Sequence, residues 1–199
     1  MAGKVLQNAP EVEIESLADL HDWLQANHAQ PDGVWLVSYK KADPDRYVPI
    51  GEIIDELLCW GWVDSLTRGK DESRSMVYIA PRNPKSNWSR VNKDKIARLR
   101  AEGRLRKPGE DLVETARENG CWTALDDVEN LVIPPDLQKG FDAREGAEEN
   151  WQAFPRSVKR GALEILLNAK RPETRAKKID TIAGDSAANR RPFQWKPKG

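Results

Sequence analysis

Apolar residues recur along the first half of the chain with two different periods. Leu17, Leu20, Leu24 and His28 fall at helical spacing, and Ser16 with Asp19 reads as a capping box, so a helix is expected over residues 16–28. Pro31-Asp32-Gly33 reads as a turn. The β-branched and aromatic run Val34 to Tyr39 predicts a strand, broken by Asp43-Pro44-Asp45. Pro49 opens a second helix with Ile50, Ile53, Ile54, Leu57 and Leu58 on a core-facing stripe and Glu52, Asp55 and Glu56 on the other face. That helix runs into Cys59-Trp60-Gly61-Trp62, where the glycine permits a sharp turn. Residues 63–68 and 75–80 read as strands joined by the polar 69–73 turn, and a short extended piece is expected around Val12 and Ile14.

From Pro81 onward nothing reads as strand. Val91 and Ile96 bracket Asn92 as staple and N-cap of a helix ended by Gly103. Pro108 starts another, stopped by Gly120, and Thr123 with Asp126 could cap a short third. Pro134-Pro135, Phe154-Pro155 and Arg171-Pro172 divide the remainder into two short and two longer helices. The longer ones carry apolar stripes at Val158, Ala162, Ile165, Leu166 and Ala169 and at Ala176, Ile179, Ile182 and Ala183. The expected fold class is α+β: a small antiparallel sheet of about three strands with flanking helices, followed by an all-helical C-terminal region. The expected organisation is an α+β region over 1–107, a helical region over 108–188, the two readable as one continuous domain, and a loose basic tail over 189–199.

Composition narrows the function classes. The 199 residues are 39% hydrophobic with 32 basic and 32 acidic side chains, too apolar and too evenly charged for a disordered chain. No apolar stretch approaches the ~20 residues of a membrane span. Residues 1–30 lack the apolar core of a signal peptide, so a soluble cytoplasmic protein is expected. Cys59 and Cys121 form no CxxC pair, which fits a reducing compartment. His21 and His28 sit about 10 Å apart along one helix, too far to share a metal unaided, so core or solvent packing is expected and neither metal nor cofactor is implied. The zero net charge resolves into blocks: net −7 over 1–81, +8 over 82–107, −9 over 108–150 and +8 over 151–199. Such alternation means either blocks that pair in the fold or faces of opposite sign.

Two stretches spend unusual residues in loops. One is Cys59-Trp60-Gly61-Trp62-Val63-Asp64-Ser65; the other runs from Pro81 to Asn92. A hairpin brings both to one end of the sheet, gathering Trp60, Trp62, Asp64, Ser65, Arg82, Ser86, Trp88, Ser89 and Asn92. Aromatic walls with convergent polar groups describe a pocket for an anionic or aromatic small molecule. The same residues also have a structural reading: tryptophans as core, Asp64 with Arg82 as an ion pair, and Ser86, Ser89 and Asn92 as helix caps. No catalytic constellation is legible. Cys59 follows Asp55 and Glu56, which raise a thiol pKa, although Asp64 could serve an enzyme as general base. A nucleic-acid alternative rests on the basic run Lys85 to Lys107 with Trp88 at its start, weighed against neutralisation by the acidic block that follows.

The two loop motifs resemble the signature of the YdeI/OmpD-associated family. Gly120-Cys121-Trp122 and the segment from Phe154 to Ile179, with Ala169-Lys170-Arg171-Pro172-Glu173-Thr174-Arg175, resemble the same family, and the likeness spans most of residues 13–184. Trp60 stands where a phenylalanine is common, and Val63 where isoleucine is. The resemblance implies bacteriocin protection, stress resistance and envelope association, and supplies no activity, cofactor or catalytic set. Its periplasmic association conflicts with the missing export signal, so a cytoplasmic ligand-binding or protection protein is the expectation.

Overall fold

The strand-like runs pair into one sheet, and each helical block buries its apolar stripe in one of two separate cores. The computed structural model describes residues 8–193. It divides after Thr123 into two units. The first contains β1 (Glu11–Glu13), α1 (Leu17–Asn27), β2 (Val34–Tyr39), α2 (Ile50–Cys59), β3 (Trp62–Gly69), β4 (Arg74–Pro81), α3 (Arg90–Ala101) and α4 (Lys107–Glu118). The second contains α5 (Asp126–Glu129), α6 (Pro135–Asp142), α7 (Ala147–Ala153), α8 (Arg156–Leu167) and α9 (Pro172–Ala187). The α+β class holds.

The sheet has four strands in the order β1-β2-β4-β3, where about three antiparallel strands were expected. The extra strand is the extended piece at Val12, which pairs parallel with β2 opposite Leu36. It is parallel because α1 lies between the two strands and carries the chain back across the sheet, a crossover that a tight turn cannot make. The two other pairings, β2 with β4 and β4 with β3, are antiparallel.

On one sheet face Val34, Leu36, Val77 and Ile79 join Leu20 and Leu24 of α1 and Ile53, Leu57 and Leu58 of α2 in a single cluster. The opposite face of β2 is also closed: Trp35 lies under the Arg68 guanidinium and Tyr39 under that of Arg46. Burial on both faces explains why β2 reads as an uninterrupted apolar run. The capping box at Ser16 is present, with its Oγ accepting from the Asp19 amide at 3.2 Å. The α3 start differs from expectation. Ser89, with extended backbone, is the N-cap and accepts from the Asn92 amide at 3.3 Å, so Asn92 sits inside the first turn. Val91 then points outward, 64% exposed, and makes no staple. The α5 start has no side-chain cap, and Leu125 holds the position expected of Thr123.

In the second unit Leu137, Phe141, Trp151, Val158, Leu163, Leu166 and Ile182 form the core. The α8 stripe narrows, because Ile165 stays exposed. Of the expected tail, Phe193 packs against this core with the Lys178 ammonium over its ring, and 194–199 lie outside the described residues.

The charge blocks pair with each other inside each unit. In the first, Lys95 and Arg98 meet Asp55, Arg104 approaches Glu56, and Arg100 meets Glu110. In the second, Arg156 and Arg160 converge on buried Glu129, and Arg175 grips Asp136. Asp55 and Glu56 are thus buried, not solvated as the α2 pattern implied. Burial pushes the Asp55 carboxyl up, but hydrogen bonds from Lys95 and Arg98 outweigh it and hold the group below its ordinary value of 3.8. A depressed carboxyl stabilises the fold above its unfolded value and loses that contribution as the pH falls through its folded value. Asp55→Asn should therefore cost about 1–3 kcal/mol at about pH 6, read from the urea midpoint, and much less at about pH 3.

Candidate functional site

The α2–β3 junction is built by close backbone approach. Gly61 turns the chain with φ of 76°, in the left-handed region open to glycine, and its carbonyl accepts from the Arg82 amide at 2.9 Å. The Cys59 carbonyl accepts from the Arg106 amide at 3.1 Å. The second loop docks on the turn after α4: the Trp88 amide donates to the Cys121 carbonyl at 3.1 Å, and Asn119 Nδ2 donates to the Pro84 carbonyl at 2.9 Å. Trp88 and Trp122 lie 5.2 Å apart between centroids. The three motif segments 59–65, 81–92 and 120–122 therefore do converge.

Their side chains divide among different tasks. Trp62 and Trp88 are 1% and 2% exposed and belong to the core. Trp62 Nε1 donates to the His28 carbonyl at 3.0 Å, and its ring meets Trp23 edge-on. Trp60 turns elsewhere, packing against His21 and His28. Asp64 lies on β3 opposite Ile79, half-buried, and no ion pair joins it to Arg82. Exposed Ser65 donates weakly to the Tyr78 carbonyl, Ser86 is half-buried on the loop, and Ser89 with Asn92 forms the α3 cap. Among the nine residues, a cation–π contact joins Arg82 to Trp88 and a cap hydrogen bond joins Ser89 to the Asn92 amide.

Arg82 is the unusual member. It is 8% exposed, its guanidinium stacks 4.0 Å over the Trp88 ring, and Nη2 donates to the Asn87 carbonyl at 2.7 Å. Nε is fully covered and has no partner. No carboxylate among the described residues reaches it, and burial alone pulls its pKa down. A desolvated cation without a counter-charge costs several kcal/mol, of which cation–π stacking returns about 2.

A second constellation had no signature in the sequence. Glu56 is 6% exposed, and its Oε1 accepts from Trp60 Nε1 at 2.9 Å and lies 2.8 Å from His21 Nδ1. Trp60 lies one helical turn after Glu56, which local spacing could have paired; His21, 35 positions away, had no such signal. Cys59 beside them is inert. Burial, with the Glu56 charge added, pushes its thiol up to about 12.

Two family models match the chain. Residues 12–112 match one described as "Domain of unknown function (DUF8412)". The chain belongs to that family. Residues 130–189 match the model described as "Bacteriocin-protection, YdeI or OmpD-Associated", so the YdeI/OmpD-associated resemblance is real and lies in the helical unit. The two loop motifs fall inside the stretch of unknown function, and Gly120-Cys121-Trp122 lies between the two matches. No curated protein and no solved structure matches. No helix among the described residues is long and apolar enough to cross a membrane.

Proposed function

We propose that the protein binds an anionic small molecule at the Arg82 loop, as a ligand-binding protein in a protective or stress-related role. One observation carries the reading: Arg82 is held almost out of water with no carboxylate beside it and an unpartnered Nε. An oxyanion at the remaining exposed edge of the guanidinium would supply the missing counter-charge. Asn87 and Trp88 already fix the guanidinium plane, so little ordering is left for binding to overcome. Asp64, Ser65 and Ser86 would form the polar surroundings, while Trp62 acts from within the core. The protective role takes its support from the description of the family matched by residues 130–189. Two free thiols, Cys59 and Cys121, favour a reducing, cytoplasmic compartment.

Arg82→Met is the discriminating variant. It keeps the packing on Trp88 and removes the uncompensated charge, so it should leave stability unchanged or raise it by about 1–2 kcal/mol. Melting-temperature shifts produced by a panel of carboxylates should disappear in the same variant. A panel that shifts Arg82→Met as much as the parent protein would overturn the reading.

The nucleic-acid alternative draws on α3, whose Lys95, Arg98 and Arg100 are engaged by Asp55 and Glu110. No specific observation favours it.

A further inference from the structure

On the first unit, Leu17, Ala18, His21, Glu56, Arg104 and Arg106 line an open cleft of about 280 Å³. We propose that this cleft is a second anion site, built for the phosphoryl group of a small phosphate monoester. It shares no residue with the Arg82 loop and does not depend on the reading given there.

The geometry starts from Glu56, the buried floor. Its Oε1 takes the Trp60 indole N–H and faces His21 Nδ1 at 2.8 Å, so the proton on that edge of the imidazole sits on Nδ1. The ring is thereby fixed by a carboxylate and an edge-on contact with Trp60 at 5.6 Å between centroids. His21 Nε2 has no partner among the described residues, and His21 lines the cleft.

The two arginines are under-used. Arg104 lies 3.4 Å from Glu56 Oε2 and 3.6 Å from Glu102, well beyond the ~2.8 Å of a strong charge-assisted hydrogen bond. The neighbouring buried acid shows the contrast, since Lys95 reaches Asp55 at 2.5 Å. Arg106 makes no ion pair among the described residues, while its amide is tied to the Cys59 carbonyl, which fixes its backbone at the rim. Within the lining two guanidinium groups face one carboxylate, and Glu102, which Arg104 also approaches from outside it, is shared with Arg98. A phosphate monoester carries about −1.5 to −2 at neutral pH and offers three acceptor oxygens, which this set of donors can match. Leu17 and Ala18 supply a short apolar wall. A cleft of about 280 Å³ admits a phosphoryl group with a few carbons and is small for a nucleotide.

The test is a titration with glycerol 3-phosphate, followed on the ring C–H signals of His21 by NMR. The chain has two histidines, so His28→Gln assigns the pair. Saturable movement of the His21 signals is expected, with glycerol alone giving none and inorganic phosphate binding more weakly than the ester. Arg106→Gln, at an exposed position, should weaken binding at least tenfold, as should Arg104→Gln, and Arg82→Met should leave it unchanged. No movement of His21, or equal movement in Arg106→Gln, overturns the site. Inorganic phosphate binding as tightly as the ester overturns the assignment to a monoester.

Discussion

Trp62→Ala is expected to destabilise the first unit by about 4 kcal/mol, one of the two largest effects of single substitutions foreseen here. Trp62 is 1% exposed and opens β3 opposite Pro81, where the junction, the sheet and α1 all meet it. Truncation empties the volume beside Trp23 and leaves the His28 carbonyl without its indole donor. The two losses add, because the cavity forfeits packing and the carbonyl loses a hydrogen bond in a place water reaches poorly. Urea unfolding followed by far-ultraviolet circular dichroism would measure the change. Trp62→Phe keeps most of the volume and should cost about half as much. A loss below about 1 kcal/mol for alanine would mean that the junction can collapse around the missing ring.

Gly109→Ala is expected to cost about 3 kcal/mol by the opposite route, overpacking. Gly109 lies in the first turn of α4, and a Cβ there would stand 2.5 Å from the Cys59 carbonyl oxygen and 2.8 Å from that of Leu58. Both obstacles are backbone, so no side chain can rotate away, and α4 must lift off the end of α2. The neighbouring contact, between the Arg106 amide and the Cys59 carbonyl, would open with it. Because Arg106 rims the phosphate cleft, Gly109→Ala should also weaken phosphate-ester binding, whereas Trp62→Ala acts on the other side of the junction. A melting temperature equal to that of the parent protein would show that α4 is free to slide.

Most elements were legible because the forces that define them are local. The α1 capping box needs Ser16 and Asp19, three positions apart; the Pro-led starts of α4, α6 and α9 need a single residue each. Where two local solutions compete, as Ser89 and Asn92 do for the α3 cap, spacing alone does not choose. Ser89 wins with an extended backbone that aims its hydroxyl at the Asn92 amide. The candidate site was legible as a place more than as a surface. The motif segments meet as the hairpin required, yet Trp62 and Trp88 turn inward, since a large ring beside an apolar core gains more from burial than from lining a pocket.

What the sequence alone determined is the set of helices, the runs that become strands, the α+β class and the alternating charge blocks, all properties of residues within a few positions of each other. The tertiary structure decided the rest. It made β1 a parallel edge strand, buried Asp55 and Glu56 on the face of α2 that looked solvated, and denied Arg82 the carboxylate that Asp64 had promised. It also set His21 against Glu56 across 35 positions. Each of these depends on which distant groups arrive together and whether water is expelled when they do. Burial sets the cost of a charge, and the fold alone determines whether a partner is there to offset it.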